Sequence, residues 1–161
     1  MNIASDQLPD LADRTDIIRV VDSFYARIRQ DEKLGPIFDE IAQVDWAAHL
    51  PRMYDFWDSM LFRAGSFRGN PLGVHAQLVP RADMSLPTFR RWLALFRETV
   101  EELYAGPNAR MLLRSAEDMA NVIHGKINGV ADPRFDPSNL TPEQNARYAA
   151  YRATTSTAKT P

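Results

Sequence analysis

Apolar residues recur along much of the chain at three- and four-residue spacing, the period of one face of an α-helix. The first such face is Ile17, Ile18, Val21, Phe24, Tyr25 and Ile28, with Thr15 or Asp13 as its N-cap, whereas residues 1–14 carry no sustained period. After Gly35 and Pro36 a short apolar segment, Ile37, Phe38 and Ile41, reads as a turn with a helical corner. Asp45 caps a second helix whose apolar side carries Trp46, Leu50, Met53, Phe56, Trp57, Met60 and Leu61. Pro51 falls inside that pattern and removes a backbone donor, which predicts a kink or a later start.

Residues 64–71 are loop by their glycines and by the Asn70-Pro71 pair, and His75 follows in a short segment, 72–78, that Pro80 bounds. Ser85 ahead of Leu86 and Pro87 opens a long helix through Phe89, Trp92, Leu93, Phe96, Val100 and Leu103, closed by Gly106 and Pro107. The last long helix runs through Met111, Leu112, Ala116, Met119, Ile123 and Ile127 to near Gly129. Four substantial helices without an alternating pattern predict an all-α fold. From Ala131 the chain turns polar, with a short helix expected at 142–152 and about ten disordered residues at the end. The expected division is an N-terminal extension at 1–14, a helical domain at 15–130 and a polar C-terminal extension at 131–161.

A length of 161 residues suits one domain, and 45% hydrophobic with 25% charged residues is the balance of a soluble globular chain. No apolar run is long enough to span a bilayer, and the opening residues place acids and prolines where a signal peptide would carry basic and apolar ones. A cytoplasmic location and no membrane partner are therefore expected. The net charge of -2 offers no general attraction to phosphate backbones, which argues against nucleic acid. The absence of cysteine excludes disulfides, iron-sulfur ligation and thiolate-held or covalently attached haem. Any metal must be held by histidine or carboxylate.

The three histidines form no H-E-x-x-H or Glu-x-x-His pattern, and there is no Gly-rich phosphate loop or G-x-S-x-G turn. A lone helical histidine is more often packed or solvated than ligating, and aromatic residues at helical spacing usually fill a core. Phe56 and Trp57 on one helix, with Phe89, Trp92 and Phe96 on another, could nevertheless wall an apolar slot for a flat porphyrin beside one imidazole.

At this point the sequence resembles the truncated haemoglobins, and specifically their third group, from about Ile17 to Ile127. SFYARIRQDEKLGPIF is similar to the family's opening helix and corner, with Tyr25 at the distal tyrosine and Phe38 at the phenylalanine that packs on haem. DWAAHLPRMYDFWDSML places His49 at the distal histidine and Met53 at the distal apolar position, FRGNPLGVHAQL places His75 at the proximal ligand, and FRRWLALFRETVEEL places Trp92 at the distal tryptophan. The double-glycine motifs of other truncated haemoglobins are absent, as in this group. Two departures are Pro51, just after His49, and a methionine at position 53.

The resemblance implies a two-over-two helical sandwich enclosing haem b, with His75 on the iron and Tyr25, His49 and Trp92 facing the bound gas. It implies a pocket that also takes in Phe38, Met53, Phe56, Trp57, Leu78, Arg81, Phe89, Phe96 and Ile123, with Arg52 and Arg81 near the haem carboxylates. His49 either gates the pocket or binds the iron, and His124 is expected to face solvent. The ligands implied are oxygen, carbon monoxide, nitric oxide or peroxide. Turnover, as nitric oxide dioxygenation or peroxide reduction, would draw electrons from a separate reductase, and binding or sensing without turnover stands beside it. A cofactor-free helical interaction module is the reading from a different class.

Overall fold

A computed structural model describes residues 8–65, 67, 69 and 71–129, together with 142, 143 and 146. Helix α1 spans Arg14–Gln30, and Asp13 caps it by accepting from the backbone N–H groups of Thr15 and Asp16. Ile17, Val20, Val21, Phe24 and Ile28 are all at most 1% exposed, so this face lies wholly in the core. Asp31 ends the helix, and its carboxylate accepts from the backbone of Leu34 at 2.9 Å and from Arg91 at 2.7 Å. Burial alone would raise this carboxyl, but the hydrogen bonds from Arg91 and Leu34 outweigh it and hold it below the usual range. A Cβ at Gly35 would stand 2.8 Å from the Arg29 carbonyl oxygen, so the chain turns back on α1 only with glycine there.

The expected corner is a single π-helical turn at Ile37–Ile41. Helix α2, Trp46–Phe62, begins directly after its Asp45 cap and runs through Pro51. A later start is therefore not what the chain adopts. In the first turn Ala48 and His49 donate to the Asp45 carbonyl at 3.1 and 2.7 Å, so the turn is closed before the proline withholds its one donor. Helix α3, Pro71–Ala76, is short and carries His75 in its last turn. Helix α4 is Leu86–Leu103 and helix α5 is Pro107–Asn128, which ends at Gly129 with φ 64°.

Helices α1 and α2 form one layer and α4 and α5 the other; α1 packs across on α4 and α2 on α5, while α3 leans on α5. This is a two-over-two helical sandwich, with no strand among the described residues. Phe96, 1% exposed, sits at its centre, with Trp57 at 4.9 Å and Phe24 at 5.1 Å between ring centroids.

Just before α1, Leu11 joins the same core. Leu11 is 1% exposed, and Asp10 accepts from the backbone N–H groups of Asn108 and Ala109, capping α5 from a distant part of the chain. Pro142, Glu143 and Ala146 are helical; the rest of the helix expected at 142–152 and the final residues lie outside those described. Among the described residues no helix is long and apolar enough to cross a membrane.

Candidate functional site

Between the layers lies a cavity of about 310 Å³. Helix α1 contributes Tyr25 and the π-turn Phe38; α2 contributes His49, Arg52, Met53, Phe56 and Trp57. The lining is completed by His75 on α3, Leu78 just after it, Phe89 and Trp92 on α4, and Ile123 on α5. Helical period explains the convergence: His49, Met53, Phe56 and Trp57 fall three and four apart on one face of α2.

His75 is half-buried, and its Nδ1 lies 2.5 Å from the carbonyl oxygen of Pro71, one turn earlier. A carbonyl only accepts, so in the neutral ring Nδ1 carries the proton and Nε2 keeps its lone pair. His49 shares the cavity. Its Nε2 is buried with no hydrogen-bond partner among the described residues, and burial, with the charges of Arg52 and His75, holds its imidazole below its ordinary value.

Tyr25 is 5% exposed, and burial pushes its phenol far above the ordinary value, so the hydroxyl keeps its proton and can donate. Its ring meets His49 edge-on at 5.2 Å and Phe38 at 5.8 Å. Trp92 stacks on Phe96 at 5.3 Å with the planes 4° apart, which fixes the plane of its indole.

Two expected pocket residues stand outside the lining. Phe96 lies behind Trp92 and Trp57 as core, because the apolar face of α4 is wider than the part that borders the cavity. Arg81 is exposed and donates to the Ile41 carbonyl at 3.4 Å, bracing the π-turn rather than the cavity. His124 is also not simply solvent-facing: it is half-buried and packs edge-on against Phe89 at 5.4 Å.

The sequence reading missed Met84, Thr88 and Met119 in the lining. Thr88 stands one turn before Trp92, and Met119 one turn before Ile123, so helical spacing from the chosen residues could have found both. Met84 lies between helices, where no period points to it. Among the described residues no three His, Cys, Asp or Glu side chains gather as a site for a bare metal ion. Metal chemistry in this cavity needs further donors from a cofactor.

No family model matches the chain. A group 3 truncated hemoglobin of Campylobacter jejuni is 31% identical over 108 residues, covering 65% of this chain and 83% of that protein. The crystal structure of a group III truncated hemoglobin from Campylobacter jejuni superposes with a TM-score of 0.66 and 28% identity, covering 75% of this chain and 95% of that one.

Proposed function

Because this chain belongs to the group 3 truncated haemoglobins, we propose that it holds haem b in the cavity, with His75 on the iron, and binds oxygen and other diatomic gases there. The observation that carries this reading is the 2.5 Å approach of His75 Nδ1 to the Pro71 carbonyl, which leaves Nε2 as a neutral donor. The residues fit the group: an apolar cavity, one oriented imidazole, and a second histidine whose buried Nε2 has no hydrogen-bond partner among the described residues. No cysteine is present to attach the macrocycle covalently.

When bound, haem supplies the iron that takes up the gas. The chain's own residues do the rest. Pro71 holds the His75 tautomer through its carbonyl, so the ligating nitrogen needs no proton removed. Tyr25 and Trp92 bring an O–H and an N–H to the cavity wall, and a donor facing partial negative charge is worth about 1.5 to 3 kcal/mol. The aromatic rings of Phe38, Phe56 and Trp57 keep water out of the apolar part. Arg52, exposed but on the cavity lining, is the cation that would pair with a haem carboxylate.

Turnover of nitric oxide or peroxide, with electrons from a separate reductase, is the finer part of the reading; plain ligand binding or sensing uses the same residues. Repeated additions of nitric oxide to the oxygenated protein in the presence of an electron donor separate the two: turnover yields many equivalents of nitrate per haem, whereas a protein that only binds stops after the one equivalent that leaves its iron ferric. The experiment for the main claim is an absorption spectrum after haem reconstitution and gel filtration. A Soret band that co-elutes with the protein is expected, and its absence would remove the proposal.

A further inference from the structure

Behind Tyr25, Phe38 and His49 stands a residue that the cavity does not touch. Trp46, the first residue of α2, meets Tyr25 at 5.4 Å, stacks on Phe38 at 6.0 Å and meets His49 edge-on at 5.6 Å. Three side chains of the cavity wall thus share one backing ring. The ring is itself held from outside: its indole Nε1 donates to Asp39 on the π-turn at 2.8 Å, and the Arg29 guanidinium at the end of α1 lies over it, 5.0 Å from the centroid. Arg29 also reaches the second oxygen of Asp39 at 3.5 Å. Arg29 and Asp39 are both exposed, so the clasp closes at the surface over a half-buried indole.

We propose that Trp46, clasped by Asp39 and Arg29, is a positioning residue that holds His49 and Tyr25 in place and so sets how readily a diatomic gas enters the cavity. The inference rests on the reading of the cavity as a haem site. Its physical basis is that Trp46 meets rings on α1, the π-turn and α2 at once, rings that also meet one another, and is itself anchored from outside by its hydrogen bond to Asp39 and by Arg29. With the indole bond gone, Trp46 is no longer fixed behind the His49 ring, which is then held more loosely by its edge contacts with Tyr25 and Phe38.

The test is carbon monoxide rebinding after flash photolysis, with the infrared C–O stretch, in the haem-loaded protein and in Trp46→Phe, His49→Leu and the double variant. Trp46→Phe should raise the association rate about five-fold, the equivalent of one ordinary hydrogen bond, and should broaden or split the stretch band. On the His49→Leu background the same change should move the rate less than about two-fold, a non-additivity expected only where one residue acts through the other. Asp39→Ala, a surface change that spares the ring, should act in the same direction and speed exchange of the Trp46 indole proton with solvent. Unchanged rates and bands in both variants, an equal effect on the His49→Leu background, or loss of the Soret band from both variants would overturn the inference. A wild-type protein without a Soret band would instead overturn the haem reading on which it rests.

Discussion

The Nδ1 of His75 stands 2.5 Å from the carbonyl oxygen of Pro71, so a backbone group, not a side chain, sets the orientation of this imidazole. The relationship needs only the single turn of α3, which is why a helix of 6 residues suffices. It also makes the orientation depend on α3 staying folded against α5. Substitutions around His75 should therefore act through that packing rather than through a lost partner.

Tyr25 and Trp92 both line the cavity and each carries one donor, and their replacement by phenylalanine deletes that donor while keeping most of the packing. Either change should speed oxygen dissociation about ten-fold for each 1.4 kcal/mol lost, with carbon monoxide, a poorer acceptor, responding less. Stopped-flow release of both gases checks this. Equal effects on the two gases would mean that the rings act by shape alone.

His49 makes a pH prediction whose sign follows from its burial. The folded state holds this imidazole below its ordinary value, while the unfolded chain titrates it near 6.5. Between those two values the unfolded chain binds more protons, so this group's effect is to lower stability as pH falls through 6.5 toward the folded value, and then to level off. His49→Leu should flatten that part of the curve in urea unfolding run from pH 8 to 5. If the imidazole turns outward when protonated, the association rate for carbon monoxide should change across the same range in wild type and not in the variant. Superimposable stability curves and flat rates in both proteins would return His49 to a packing role.

Asp10 offers a test of the fold itself, because its carboxylate accepts from Asn108 and Ala109 at 2.9 Å each and supplies the cap that Gly106 cannot. Asp10→Ala should cost about 1 kcal/mol, the usual effect of losing a helix cap, seen as a lower urea midpoint with unchanged slope. A shift no larger than the ~0.5 kcal/mol of an ordinary surface change would contradict this role.

The long helices were legible because their apolar faces repeat over many turns, as from Ile17 to Ile28 and from Phe89 to Leu103, and because Asp13, Asp45 and Gly129 mark their ends. Of the kink or later start that Pro51 predicts, the later start is not adopted, because the Asp45 cap and the bonds from Ala48 and His49 to its carbonyl close the first turn ahead of the proline. Period identifies which face is apolar, but not which part of the face borders a void and which part is core. That is why Trp92 lines the cavity while Phe96, one turn on, does not. What depends on contacts between distant segments left no local trace: Asp10 on α5, Arg81 on the Ile41 carbonyl, and Trp46 held by Asp39 and Arg29.

The central claim, that His75 binds the haem iron, is tested most directly by His75→Gly with and without added imidazole. The account predicts that the variant loses haem or gives a weakly ligated ferrous spectrum, and that free imidazole, filling the space of the missing ring, restores the wild-type spectrum. A ferrous spectrum of His75→Gly identical to wild type in the absence of imidazole would contradict it and assign the ligand to another residue.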